Sequence, residues 1–190
     1  MRIQDSQLQL ALPDHYPDTS PAHLRAAAVL LPLIPREQED AILFTVRSQA
    51  LRKHKGQIAF PGGKRDPEDR DLADTALRET HEEIGIAPPG IQLVGALPPF
   101  PTHTGFYIHP YVGRLDWPLE FTPQYAEIDE IFQVPLRHLL DPTIYRMEER
   151  EVDGVIYPIH YYQYEQYTIW GITAHILHGF LAGLAPEHLR

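Results

Sequence analysis

The chain has no cysteine in 190 residues. Disulfides are therefore excluded, and so are thiolate metal sites and a cysteine nucleophile. Basic residues are also scarce. Sixteen Lys and Arg stand against 26 Asp and Glu, for a net charge of −10. A general nucleic-acid binder or a protein of anionic membranes needs a basic surface, so neither partner is expected. No apolar run reaches the 18 residues of a membrane span. The opening MRIQDSQLQL is polar where a leader would be apolar, and the expected location is cytoplasmic. Eleven histidines are present, but none forms an HExxH pair. Repeats and low-complexity segments are absent.

What remains is enough for one domain with a sizeable core. Residues 1–22 are polar, carry Pro13, Pro17 and Pro21, and read as an N-terminal arm or lead-in helix. Residues 23–190 read as a single domain. Arg25–Ile34 and Ala41–Val46 are buried strands that can pair as a hairpin across the charged turn REQED. Further strands are expected at Ile91–Leu97 and at Phe106–Leu115 with an interruption at Pro110, and Glu127–Val134 leads into a short helix. Tyr145–Val152 and Val155–Tyr162 flank Asp153-Gly154, a strong hairpin signal. A last helix is expected over Ile169–Leu184, opening at Trp170-Gly171. Strands outnumber helices, which suggests an α+β fold with a mixed sheet covered by helices.

The chain is organised around Gly56–Ile86, GQIAFPGGKRDPEDRDLADTALRETHEEIGI. Its second half specifies a helix. Asp71 is a plausible N-cap, and Asp74 puts negative charge in the first turn. Leu72, Ala73, Ala76, Leu77, Thr80 and Ile84 make one mostly apolar stripe. Gly85 fits the stop, and Pro88-Pro89 bars continuation. Glu79, Glu82 and Glu83 stand at i, i+3 and i+4, spanning about a third of the helix circumference. Carboxylates this close repel and raise one another's pKa unless a cation compensates. A hard divalent ion, Mg²⁺ or Mn²⁺, suits oxygen ligands. The bland alternative is a solvated acidic face. It fits poorly with acids that flank a core stripe and follow a Gly-Gly pair. Arg78 is placed to pair with and orient the acids.

Arg47–Lys55, RSQALRKHK, is the most basic stretch. It is either a solubilising loop or an anion site. In the second reading Arg47 and Arg52 make forked contacts to phosphate, and Lys53 and Lys55 add point charges. Ser48 has no His/Asp relay and is no nucleophile. His175 and His178 share a helix face, where packing is the simpler role. His103 suits either the pocket or the surface. Tyr161, Tyr162, Tyr164 and Tyr167 suit the core better than an adenine platform.

The helical stretch resembles the Nudix box, G-x5-E-x7-R-E-U-x-E-E-x-G-U with U aliphatic. Gly63, Arg78, Glu79, Glu82, Glu83, Gly85 and Ile86 match it. Asp69 stands at the first Glu, eight residues rather than seven separate it from Arg78, and Thr80 replaces the first aliphatic. The preceding stretch is similar to the coenzyme A pyrophosphatases of that family, with Thr45, Arg47, Ser48, Arg52, Gly56, Phe60, Pro61, Gly62 and Gly63 in register. The resemblance implies an α/β/α sandwich around a mixed sheet. It implies Mg²⁺ or Mn²⁺ held by Glu79, Glu82, Glu83 and the Gly63 carbonyl, with Arg78 positioning the acids. Substrate contacts fall to Arg47, Ser48, Arg52, Lys53, Lys55, Gly62 and Gly63. The base is either one of the box glutamates, each also wanted by metal, or an acid from a later loop, with Glu127 first and Glu130 next. The implied reaction is hydrolysis of coenzyme A to 4′-phosphopantetheine and adenosine 3′,5′-bisphosphate. The alternatives are a Nudix pyrophosphatase for ADP-ribose or another nucleotide derivative, a non-catalytic Nudix-derived nucleotide-binding module, and an acidic interaction domain.

Overall fold

The computed structural model describes residues 1–4, 7–8, 12–152 and 154–184. Its main sheet is mixed. At its centre β1 (Arg25–Pro35) runs parallel to β7 (Phe106–Leu115) from Arg25↔Phe106 to Leu33↔Arg114. A strand buried on both faces needs no polar side, which is why RAAAVLLPLIP is almost continuously apolar. The faces still alternate. Ala27, Leu31 and Leu33 enter one core, while Ala28, Leu30 and Ile34 enter the other. The second core is closed by α1 (Leu72–Ile84) through Leu72, Ala76 and Ile84. The first is closed by α3 (Gly171–Leu184), through Ile176, Leu177 and Phe180, and by a three-stranded sheet. That sheet joins β9 (Tyr145–Val152), β10 (Val155–Tyr164) and β11 (Tyr167–Trp170) in the order β11-β10-β9. The fold is therefore α+β, a mixed sheet with helical cover on both faces.

One edge of β1 is split, and the split makes the cleft. β2 (Asp40–Arg47) pairs with β1 only at Leu33–Pro35, as the expected hairpin. It then turns away to pair with β3 (Ile58–Ala59) and β8 (Ile128–Pro135). The vacated edge, Ala27–Val29, is taken by β4 (Gly62–Lys64). The Gly-Gly pair is thus strand, not a simple turn. A Cβ on Gly62, at φ +157, would collide with the backbone of Ala28 and Val29. The remaining edge of β7 carries β5 (Ile91–Ala96) and β6 (Phe100–Pro101). The short helix α2 (Leu136–Leu139) follows β8.

Two sequence expectations need correction. Pro110 does not interrupt its strand, because it lies between the last β5 pair, Ala96↔Tyr111, and the first β6 pair, Phe100↔Ile108. Its carbonyl accepts from the Leu97 N–H on that side, so its missing N–H costs β1 nothing. Ile169 and Trp170 are strand rather than helix, paired with Tyr162 and Tyr161. Gly171, at φ +66, makes the junction into α3. The β9–β10 hairpin is as expected, although Asp153 lies outside the described residues. The N-terminal residues are stitched to the domain. Ile3 is buried, its N–H donates to Asp40 Oδ2 at 2.8 Å, and the Pro13 carbonyl accepts from Ala96.

Histidines of β10 and α3 stack where the helix meets the small sheet. The His160 and His178 rings lie 4.0 Å apart, and the Tyr145 and Tyr162 hydroxyls meet their Nδ1 atoms at 3.0 and 2.9 Å. Burial pushes His160 down from 6.5 to about 4, with His178 and His175 adding to the shift. The unfolded chain then takes up a proton that the folded chain refuses. Stability from this group is complete above pH 6.5 and is lost as pH falls toward 4, by about 3 kcal/mol. Urea unfolding at pH 7 and pH 4.5 is expected to show that loss in the wild type and a flatter dependence in His160→Gln. The difference between the two proteins is the readout, because buried Glu83 titrates with the opposite sign.

Candidate active site

α1 is fixed at both ends by the residues its sequence offers. Asp71 accepts from the Asp74 N–H at 2.8 Å, and Gly85, at φ +79, donates to the His81 carbonyl. This phase puts Arg78, Glu79, Glu82 and Glu83 along the split edge of β1. The glutamate side chains differ in exposure: 5% for Glu83, 18% for Glu79 and 57% for Glu82. Glu83 is therefore the acid that water serves least. Burial pushes its carboxyl up to about 8, with Glu79 and Glu127 adding to the shift. Arg47 and the Gly62 N–H oppose it. Burial also raises Glu79, against Arg78 and with help from Glu82 and Glu127.

Arg78 is held on all sides. Its Nε and Nη2 fork onto Asp69 at 2.8 and 3.0 Å, and Nη2 also donates to the Lys64 carbonyl at 3.0 Å. Its Nη1 reaches Glu79 at 3.0 Å and Glu82 at 3.3 Å. Asp69, which stands where the Nudix pattern has Glu, is buried. It also accepts from Thr75 Oγ1 at 2.8 Å and the Asp66 N–H at 2.9 Å. The Arg78 guanidinium holds its carboxyl well below the usual range. The shorter acid and the longer loop thus deliver a complete anchor.

The strand side of the site comes from the preceding motif. Arg47 Nη1 lies 3.8 Å from Glu83 Oε1, and its Nε is buried without a hydrogen-bond partner. Gly63 lies against Glu79 so closely that a Cβ there would fall on the carboxylate. Glu127 lines the same cleft. The 116–127 loop is tied to the end of α1 by bonds from Thr122 N–H to the Ile84 carbonyl and from Gln124 N–H to the Glu83 carbonyl. The cleft holds about 710 Å³.

Other sequence-named residues fall elsewhere. Ser48 is buried and builds the loop: its Oγ accepts from the Ala50 N–H and donates to Asp129, while its N–H donates to the Glu127 carbonyl. It holds the backbone of Glu127 and is not among the residues that line the cleft. Arg52, Lys53 and Lys55 are exposed and do not line the cleft. Residues His54, at φ +58, and Gly56, at φ +65, turn this loop so that His54 and Gln57 line it instead. Lys64, which follows the Gly-Gly pair directly, also lines it and went unremarked in the sequence. Glu130 is engaged by the Tyr167 hydroxyl and is not at the cleft. His103 lines the cleft; His175 and His178 lie on α3 and pack against His160 and Tyr145 of the three-stranded sheet.

Among the described residues, no three acidic or histidine side chains converge into a ready-made ligand set. Arg78 draws Glu79 and Glu82, and Arg47 faces Glu83. The donor chemistry nonetheless suits a hard divalent ion: Glu79, Glu82, Glu83 and Glu127 bring carboxylate oxygens to one cleft, and Arg47 stands 3.8 Å from buried Glu83. No helix among the described residues is long and apolar enough to cross a membrane.

Comparison with known proteins agrees with this geometry. The family model described as the NUDIX domain matches residues 23–170. A protein of Pectobacterium atrosepticum named as an uncharacterized Nudix hydrolase, NudL, is 40% identical over 174 residues, covering 91% of this chain and 88% of the relative. Its namesake in Photorhabdus laumondii is 40% identical over 172 residues, covering 90% of each. Among solved structures, a C. elegans Ap4A hydrolase complex aligns with a TM-score of 0.51 at 20% identity, over 58% of this chain and 80% of that one. The M. smegmatis Nudix hydrolase RenU aligns with a TM-score of 0.51 at 21% identity, over 60% and 72%. At those identities the structures bear on the fold alone. Nudix enzymes generally use divalent metal ions. The chain belongs to the Nudix family and is a Nudix hydrolase, an enzyme of the pyrophosphatase type.

Proposed function

We propose that the enzyme hydrolyses the diphosphate of coenzyme A to 4′-phosphopantetheine and adenosine 3′,5′-bisphosphate, in the cytoplasm and with Mg²⁺ or Mn²⁺. The observation that carries this is the meeting of Arg47 with Glu83 at 3.8 Å. The residue comes from the stretch similar to coenzyme A pyrophosphatases, the acid from the Nudix box, and they share one cleft. Glu79, Glu82, Glu83 and the Gly63 carbonyl would hold the ions, which when bound neutralise the diphosphate and supply a nucleophilic water at neutral pH.

The chain's own groups do the rest. Arg78, anchored by Asp69 and the Lys64 carbonyl, fixes the positions of Glu79 and Glu82. Arg47 and Lys64 offer donors to the non-bridging phosphate oxygens. Glu127 takes the proton from the attacking water in this reading, which its position in the lining of the same cleft as Glu79 and Glu83 supports. A phosphorus–oxygen bond forms to water, the bond to the bridging oxygen breaks, and the bridging oxygen leaves with the other phosphate. Purified enzyme with Mg²⁺ is expected to show kcat/KM at least tenfold higher for coenzyme A than for ADP-ribose. The reverse order would overturn the substrate assignment.

A further inference from the structure

The cleft has a second half that the acids and arginines do not use. Trp170, Ile172 and Ile176 line it from β11 and α3, facing Phe106, Ile108 and Phe60. Trp170 and Ile172 are 41% and 39% exposed, although they border the catalytic cleft. Two large apolar side chains left to solvent beside a catalytic centre are a surface awaiting an apolar group.

The wall is built, not incidental. Along β11, Ile169 turns into the core, so its neighbour Trp170 must face outward. Trp170 is paired with Tyr161 and stacks on it with rings nearly parallel, 10° apart. Gly171 then turns the chain into α3 without a side chain, and nothing lies within 4 Å of where its Cβ would stand. Thr173 Oγ1 donates to the Ile58 carbonyl at 2.9 Å, which fastens the first turn of α3 to the floor strand β3. Phe106 carries the Arg25 guanidinium 4.2 Å from its ring centroid.

We infer that this wall is the subsite for the uncharged, branched-aliphatic arm of the substrate, and that Trp170 is its specificity-determining residue. The inference rests on the proposed coenzyme A reading, in which that arm is pantetheine. Among the described residues the wall's own side chains, Trp170, Ile172, Ile176, Phe106, Ile108 and Phe60, are all uncharged, and the Arg25 guanidinium beside them lies over the Phe106 ring. That composition suits an alkyl-and-amide arm better than a phosphorylated ribose, which needs cations. The diphosphate then lies at the Glu79–Glu83 end, and the arm runs along α3. Substrates lacking such an arm lose this contact while keeping every contact to the diphosphate.

The test measures both products as ligands and coenzyme A as substrate, on wild type, Trp170→Ala and Ile172→Asn. Thermal melts check that the variants fold. Calorimetry with 4′-phosphopantetheine is expected to show at least tenfold weaker binding to each variant. Binding of adenosine 3′,5′-bisphosphate stays within twofold. KM for coenzyme A rises by a like factor, and kcat changes less than threefold. Equal losses for both products, no loss for 4′-phosphopantetheine, or no binding of it to wild type would overturn the assignment. Turnover of coenzyme A with silent variants would sink the wall and spare the substrate reading. Trp170-dependent binding of 4′-phosphopantetheine without turnover of coenzyme A would do the reverse.

Discussion

Glu83→Gln is expected to lower kcat at least 10³-fold while the protein stays folded. The side chain keeps its shape and loses only its capacity to be an anion. Burial already pushes the carboxyl to about 8, so the fold itself does not ask for a charge there. A neutral amide can keep accepting from the Gly62 N–H, and Arg47 at 3.8 Å loses little. The melting temperature is thus expected to stay level or to rise. Removal of an oxyanion-side donor alone commonly costs two to three orders of magnitude, roughly 3–4 kcal/mol, and loss of a metal ligand belongs at the upper end. Steady-state turnover with Mg²⁺ in excess, read beside a thermal melt, checks both halves. Turnover within tenfold of wild type would remove Glu83 from the chemistry.

Asp69→Ala is expected to have the opposite profile, a large loss of stability with a partial loss of activity. Asp69 is buried and takes four hydrogen bonds: two from Arg78, one from Thr75 Oγ1 and one from the Asp66 N–H. Removing it leaves a half-buried guanidinium short of its main counter-charge. Breaking a buried pair in this way costs about 3 kcal/mol or more. For a domain of this size that lowers the melting temperature by roughly 6–12 °C. Arg78 keeps the Lys64 carbonyl, Glu79 and Glu82, so turnover falls but persists. Asp69→Glu is the informative partner. It restores the residue type of the Nudix pattern in a loop one residue longer, and an extra methylene in a packed pocket costs about 1–3 kcal/mol. A melting temperature equal to wild type for Asp69→Ala would show that Arg78 is held by other means.

Much of this was legible because it is local. Caps are decided by residues within one turn, so Asp71 and Gly85 could be assigned before any tertiary contact was known. The same holds for the β1–β2 and β9–β10 hairpins, whose turn signals lie between the strands they join. The helical spacing of Arg78, Glu79, Glu82 and Glu83 fixed their common face. What stayed hidden depends on partners remote in the chain. Pro110 reads as a break until one knows that it falls between β5 and β6. Ile169 and Trp170 continue the apolar run of α3, and only pairing with Tyr161 and Tyr162 makes them strand. The basic residues after Arg47 share its charge but not its direction, because the loop turns at His54 and Gly56. Asp69 looked like a departure from a pattern, and only the fork from Arg78 gives it a role.

The account depends on acids of one helix attracting a divalent cation in spite of the arginines that face them. Mn²⁺ binding followed by electron paramagnetic resonance, on wild type and on Glu82→Gln, measures this without reference to any substrate. Glu82 is the most exposed of the three, so the substitution leaves the core untouched. Saturable binding to the wild type that weakens at least tenfold in the variant is the predicted result. Indistinguishable titrations of the two proteins would contradict it.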